Sequence, residues 1–142
     1  MAVVRTARAQ WEGDLASGGG TVAFDSSALP DTAVTWKARA EGSDSVTSPE
    51  ELIAAAHSSC MSMALTNGLV KAGHQPSRVR VTAEVSFQPG SGITGIHLTV
   101  RASVSDLSAQ DFAAAAEDAK TNCPVSQALT GTTITLDAAL AE

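Results

Sequence analysis

The 142-residue chain is predicted to fold as a single α+β domain spanning residues 1–142. Three observations predict this class. Strand-like segments occur in groups, long helical patterns lie between the groups, and Gly- or Pro-containing turns separate neighbouring strands. Groups of strands followed by helices are typical of α+β proteins and not of a doubly wound parallel sheet. The length suits one domain with a substantial hydrophobic core and is too short for two.

The first 40 residues contain three strand-like segments, which we expect to pair as an antiparallel meander. They cover about residues 2–12, 20–26 and 33–39, and the turns "SGGG" and "LPD" separate them. The polar segment "AEGSDSV" then forms a loop before the first long helix.

A strong start signal predicts that this helix begins at about residue 49. Ser48 supplies a capping hydroxyl, Pro49 occupies a position that needs no amide hydrogen, and the Glu51 carboxylate is placed to reach back to the cap. The helix should continue to about residue 72, because "AGHQP" supplies a glycine stop followed by a proline.

The second half of the chain is predicted to contain a hairpin, two helices and a last strand. The alternating runs 77–88 and 95–105 should form the hairpin, joined by "PGSGITG". A helix should follow from Ser108 to about residue 120. Cys123, followed by Pro124, should open a short helix, and "TTITLDAAL" should close the chain as a strand.

Composition excludes several classes of function. The net charge is −6, and the nine Lys and Arg residues are not clustered, which argues against nucleic-acid binding. We find neither a secretory signal nor an apolar run of 18 or more residues, so we expect a cytoplasmic protein without a membrane span. Two cysteines do not make a disulfide scaffold, and in a reducing compartment their pairing is expected to be transient and chemical.

Three chemically interesting side chains share one face of the first long helix. At 100° per residue, Glu50, His57 and Cys60 fall on one stripe, yet Glu50 and Cys60 are about 15 Å apart along the axis and cannot touch. An ordinary cysteine is only about 3% ionised at neutral pH, and a nearby cation raises that fraction. Arg39 is the natural candidate, because Glu50 could hold its guanidinium by a bidentate pair.

Four motifs carry a family resemblance. "QWEGD", "ARAEG" around Arg39, "TSPEELIAAAHSSCMSMAL" and "NCPVSQAL" resemble, in this order along the chain, the OsmC/Ohr family of organic hydroperoxide reductases, and more closely its OsmC branch. The resemblance implies an OsmC/Ohr-like fold, with antiparallel sheets around a long central helix that carries Cys60, and an intertwined homodimer. It also implies that Cys60 is the peroxidatic cysteine, that Cys123 resolves it, and that Arg39 and Glu50 stabilise the thiolate and orient the peroxide.

The activity implied by the resemblance is thiol-dependent reduction of organic hydroperoxides, and more slowly of hydrogen peroxide, in oxidative stress defence. The expected product on the protein is a Cys60–Cys123 disulfide, which an external dithiol must reduce. In the Ohr branch that partner is a dihydrolipoyl group on an enzyme complex, so a lipoylated protein is the expected reductant. No cofactor and no metal are expected. Met61 stands where the family frequently has an aromatic residue, which concerns the lining of the pocket and substrate preference.

Several alternatives remain open from the residues alone. Cys123 at a helix N-cap could be the more acidic thiol, which would reverse the roles of the two cysteines. His57 could act as the base of a Cys-His hydrolase or as a zinc ligand, but a packed histidine with both nitrogens satisfied is the favoured interpretation. The competing class of function is a non-catalytic module that senses redox state or binds an apolar ligand.

Overall fold

The structure, a computed structural model, describes residues 1–141 and contains six strands and four helices in that range. The chain divides into two compact units, Met1–Leu52 and the part from Ile53 onward. The prediction of one domain stays a prediction.

The first unit contains the predicted antiparallel meander. Strands β1 (Ala7–Glu12), β2 (Gly19–Phe24) and β3 (Thr32–Val34) pair in that order. Gly20 in β2 faces Trp11 across the strand pair, where an added Cβ would lie 2.8 Å from the indole ring. A glycine at this position therefore leaves room for the tryptophan.

The prediction of a third strand over about residues 33–39 is wrong in its second half. β3 ends at Val34, and helix α1 (Trp36–Glu41) follows. The cause is local, because Thr35 is extended and its Oγ1 accepts a hydrogen bond from the Ala38 N–H at 3.1 Å. This N-cap starts a helix within a run that alternates like a strand, and it places Arg39 on a helix.

Helix α2 (Pro49–Lys71) has the predicted limits and connects the first unit to the second. At its start the Glu51 N–H donates to Ser48 Oγ at 3.2 Å, while the Glu51 carboxylate accepts from the Thr47 hydroxyl. At its end Gly73 has φ +91°, and the His74 N–H donates to the Leu69 carbonyl at 2.8 Å. Gly73 and the bond from His74 to Leu69 form the glycine-terminated cap that the sequence predicts.

The second unit contains the hairpin, whose loop is shorter than predicted. Strands β4 (Pro76–Gln88) and β5 (Gly92–Val104) pair antiparallel, and only residues 89–91 connect them. The Ser91 N–H donates to the Gln88 carbonyl at 2.9 Å and closes the turn, with Gly90 at φ +85°. Proline followed by a glycine of positive φ is typical of a type II turn, which tightens the connection.

The last strand corrects the expectation of purely antiparallel sheets. Strand β6 (Ile134–Leu140) pairs with β5 in parallel, so the second sheet, in the order β4-β5-β6, is mixed. The connection between these strands contains helices α3 (Ala109–Asn122) and α4 (Pro124–Ala128). A crossover of this length returns the chain in its original direction, as parallel pairing requires.

The core of the second unit lies between α2, the mixed sheet and α3. Its fully or almost fully buried members come from all three: Met61, Leu65, Leu69, Ile96, Leu98, Val100, Ala102, Phe112, Ala116 and Ala119. The spacing of four residues from Met61 to Leu65 and Leu69 keeps these side chains on one face of α2. The same face carries His57, one turn nearer the N-terminus.

Candidate active site

The two cysteines lie side by side although 63 positions separate them. Cys60 is on α2, Cys123 is the residue between α3 and α4, and their sulfur atoms are 3.1 Å apart. Both are free thiols. The core packing that brings α2 against α3 therefore also brings the two sulfurs together.

Solvent reaches the two thiols unequally. Cys60 is partly exposed, whereas Cys123 has an exposed fraction of 0%. A small molecule arriving from solution can therefore reach the residue Cys60 and not Cys123. Met61, which we expected to line the pocket, is instead fully buried in the core.

The two thiols also differ in acidity. Burial raises the pKa of Cys60, the neighbouring Cys123 raises it further, and the Val125 amide opposes both effects. Burial also acts to raise the pKa of Cys123, but hydrogen bonding from the Ser126 amide and hydroxyl, from Cys60 and from the Val125 amide outweighs it, so that this pKa is lowered. The acidic thiol of the pair is therefore Cys123, as its N-cap position indicates.

His57 belongs to the same buried cluster. Its ring is fully buried, and its Nε2 lies 2.7 Å from Ser126 Oγ, on the first turn of α4. Burial lowers the pKa of the imidazole, which is therefore neutral near pH 7. Within residues 1–141 its Nδ1 has no hydrogen-bond partner, so the expectation that both nitrogens are satisfied is wrong for one of them.

Arg39 and Glu50 form a second pair, which lies in the first unit. Arg39 Nη2 is 2.9 Å and Nε is 3.0 Å from Glu50 Oε1. The glutamate side chain is 7% exposed and the arginine side chain 33%. The bidentate pair that we expected is present. Whether Arg39 acts on Cys60 remains a prediction.

Ser126 and Val125 are the site residues that sequence reasoning missed. The sequence does contain a signal for Ser126. It is the third residue after the N-cap Cys123, and this position in the first turn of a helix faces the capping side chain. Its contact with His57, 69 positions away, has no local signal.

Residues 1–141 contain no group of three or more His, Cys, Asp or Glu side chains that could hold a metal ion. None of the helices there combines the length and apolar character that a bilayer crossing requires.

Two adjacent thiols of unequal acidity and exposure are the arrangement of a dithiol redox protein. Residues 42–137 match the family described as OsmC-like protein. The chain is 41% identical to the peroxiredoxin OsmC of Escherichia coli (strain K12) over 140 residues, or 96% of each chain. The chain therefore belongs to the OsmC family.

Solved structures give the same fold. An OsmC-like protein from Mycoplasma pneumoniae superposes with a TM-score of 0.73 at 14% identity, with 100% of each chain covered. An organic hydroperoxide resistance protein from Elizabethkingia anophelis superposes with a TM-score of 0.65 at 26% identity, covering 100% of this chain and 99% of that one. The predicted OsmC/Ohr-like α+β fold is confirmed.

Proposed function

We propose that this chain, a cysteine-based peroxidase of the OsmC family, reduces organic hydroperoxides to alcohols, with Cys60 as the attacking thiol and Cys123 as the resolving thiol. The observation that carries the proposal is the pairing of a partly exposed cysteine with a fully buried one, with their sulfur atoms 3.1 Å apart. Peroxide can reach only the first, and the second is close enough to react with whatever forms there.

The proposed reaction has two steps on the protein. The Cys60 thiolate attacks one peroxide oxygen, the O–O bond breaks, and the alkoxide leaves as the alcohol after taking a proton; Cys60 becomes a sulfenic acid. The Cys123 thiolate then attacks the Cys60 sulfur, the S–O bond breaks, and hydroxide leaves as water after protonation. An external dithiol reduces the resulting disulfide and becomes oxidised itself.

Arg39 and Glu50 are assigned the activation of Cys60. The assignment rests on the family resemblance and on the Arg39–Glu50 pair. A positive charge near Cys60 would favour the thiolate, which burial and Cys123 disfavour. Glu50, held at 5% exposure, would orient the guanidinium through its two oxygens. The charge of Arg39 would also stabilise the departing alkoxide.

The reductant and the assembly are further parts of the proposal. We assign the reducing role to a dithiol, with a lipoylated protein as the candidate, in the cytoplasm. We also propose a homodimer, supported by the family resemblance and by Met63 and Val70, which expose 70% and 49% of their surface on α2. Sedimentation equilibrium should then give twice the chain mass of 14.4 kDa.

One observation favours a second candidate function. A Cys60 of raised pKa would react slowly without Arg39, as in a sensor whose disulfide forms once. The rate of turnover separates the candidates. With dithiothreitol present, an enzyme consumes many equivalents of tert-butyl hydroperoxide rapidly. A sensor consumes the peroxide only at the slow rate at which its Cys60 reacts.

The test of the cysteine roles uses one equivalent of tert-butyl hydroperoxide with wild type, Cys60→Ser and Cys123→Ser, followed by intact mass and thiol titration. We expect wild type to lose two hydrogens per chain, Cys123→Ser to gain oxygen and Cys60→Ser to stay unchanged. A reactive Cys60→Ser together with an inert Cys123→Ser would reverse the roles. Three unreactive proteins would contradict the peroxidase proposal.

A further inference from the structure

The two cysteines of the proposed disulfide differ in how a thiol from solution can approach them. Cys123 has an exposed fraction of 0%, so solvent does not reach its sulfur, whereas Cys60 is partly exposed. The Cys123 side chain points inward, since its neighbours along the chain, Asn122 and Pro124, are both exposed. Of the two cysteines, only Cys60 is therefore open to a molecule outside the protein.

Thiol–disulfide exchange requires a particular direction of approach. The attacking thiolate comes to one sulfur from the side opposite the S–S bond, and the other sulfur leaves with the electron pair of that bond. Attack on Cys123 would have to start on the side of its sulfur turned away from Cys60, which lies within the protein because the whole residue is buried. Attack on Cys60 requires access only to the partly exposed residue.

The acidity of the two thiols favours the same direction of attack. A thiol of lower pKa is the better leaving group in this exchange. Burial and Cys123 raise the pKa of Cys60, while the pKa of Cys123 is lowered although burial acts to raise it. Expulsion of Cys123 is therefore easier than expulsion of Cys60.

We propose that the external dithiol attacks the Cys60 sulfur of the oxidised protein, so that the mixed disulfide with the reductant forms on Cys60 and Cys123 is the leaving thiolate. This inference rests on the proposed function, in which the Cys60–Cys123 disulfide is the oxidised product. Cys60 then has two opposite roles, as the nucleophile towards peroxide and as the electrophile towards the reductant. Both substrates approach the same cysteine.

The proposed reduction consists of two exchanges. In the first, one thiolate of the dithiol forms an S–S bond to Cys60 as the Cys60–Cys123 bond breaks, and Cys123 leaves as a thiolate. In the second, the other thiolate of the reductant attacks the reductant's own sulfur in the mixed disulfide, which closes a disulfide within the reductant and releases the Cys60 thiolate. The dithiol loses two electrons, and the protein disulfide gains them.

Trapping of the mixed disulfide in the wild-type protein tests this assignment. The protein is oxidised with diamide, which forms the disulfide without peroxide, then mixed with glutathione and quenched after increasing times with N-ethylmaleimide. Trypsin places the two cysteines on separate peptides, residues 40–71 and 121–142. At times extrapolated to zero we expect at least about tenfold more glutathione on Cys60 than on Cys123, with the maleimide on Cys123.

The two single-serine variants measure access to each sulfur separately. Cys123→Ser retains the Cys60 thiol and Cys60→Ser retains the Cys123 thiol, and each is reacted with 4,4'-dithiodipyridine in the folded state and in concentrated urea. We expect folding to slow the Cys123 thiol about a hundredfold, because a buried thiol reacts only after local opening, and to slow the Cys60 thiol much less. The lowered pKa of Cys123 would act in the opposite direction, so such a slowing reports burial.

Two results would overturn this inference and leave the proposed function standing. One is glutathione that appears first on Cys123, and the other is equal slowing of the two thiols by folding. The proposed function fails on a separate result, which is that one equivalent of tert-butyl hydroperoxide forms no Cys60–Cys123 disulfide in the wild type.

Discussion

The two cysteine thiols differ in acidity because their immediate neighbours differ. Cys60 lies about three turns from the start of a long helix, beyond the reach of the helix terminus, and its burial raises its pKa. Cys123 is the N-cap residue of α4, and its pKa is lowered although burial acts to raise it. A peroxidase that attacks through Cys60 therefore requires a cation from elsewhere, and Arg39 is the residue to test.

For Arg39→Met we predict a peroxide-consumption rate that falls about tenfold or more at pH 7 and recovers as the pH rises. The physical reason is that, in the proposed function, the guanidinium favours the Cys60 thiolate against burial and Cys123, which raise the pKa of this thiol. The measurement is the initial rate with tert-butyl hydroperoxide from pH 6 to pH 10. Arg8→Met, which breaks the exposed ion pair with Asp25, is the matched control. An unchanged pH profile in Arg39→Met would remove this residue from the mechanism.

His57 should make the folded state less stable in acid. Its pKa is lowered by burial, so as the pH falls below about 6.5 the unfolded chain binds a proton that the folded chain does not, and stability is lost. One such group changes the free energy of unfolding by at most about 1.4 kcal/mol per pH unit. We predict a flatter stability profile between pH 4.5 and 6.5 for His57→Gln in urea titrations.

The control for this prediction is His97→Gln, which alters a partly exposed ring. If the free energies of unfolding of wild type and His57→Gln depend on pH in the same way, His57 takes up its proton in the folded protein as readily as in the unfolded chain.

At the scale of single elements, helix ends were the most predictable features. Ser48 with Pro49, Ser108, and Cys123 with Pro124 all mark the helix starts that the sequence predicts, because capping depends on neighbours within four residues. The error at Trp36–Glu41 is also local, since one threonine cap outweighed an alternating pattern. The parallel pairing of β6 and the contact of His57 with Ser126 depend on residues far apart in sequence, so no local pattern predicts them.

Two glycines, one inside α2 and one just after its end, should respond to alanine in opposite directions. At both Gly68 and Gly73 an added Cβ has no neighbour within 4 Å, so the backbone conformation alone decides how the substitution changes the stability. Gly68 is inside the helix, and Gly68→Ala should stabilise the protein by about 0.5–1 kcal/mol. Gly73 has φ +91°, and Gly73→Ala should destabilise it by about 1 kcal/mol or more.

Urea unfolding of the two variants, each compared with wild type under reducing conditions, checks this pair. A loss of stability in Gly68→Ala would indicate that its exposed surface on α2 is covered in solution, as the proposed homodimer could cause.

For the whole molecule, the important feature is that the two thiols enclose most of the second unit. The segment between Cys60 and Cys123 contains the end of α2, the complete β4-β5 hairpin and α3. A disulfide there would close a loop of 63 residues and restrict the unfolded chain. Oxidation state and global stability should therefore be coupled.

We predict that oxidation with one equivalent of tert-butyl hydroperoxide raises the free energy of unfolding by up to about 4 kcal/mol, the loop-closure value for this length. The measurement is urea unfolding of the oxidised and reduced protein. Cys123→Ser exposed to the same peroxide should gain none of this stability. If the oxidised wild type is no more stable than the reduced protein, strain in the folded state must offset the entropic gain.

Cys123 is at once the C-cap of α3 and the N-cap of α4, so this junction contains no spare residue. Inserting one residue in the last turn of α3 would turn Cys123 and α4 by about 100° around the axis of α3 and move them by about 1.5 Å along it. Such a change would separate Ser126 from His57 or the two sulfurs from each other. Chain length is therefore as constrained at this point as residue identity. Natural insertions and deletions among relatives should fall in segments such as the polar loop 42–46 and avoid residues 119–126.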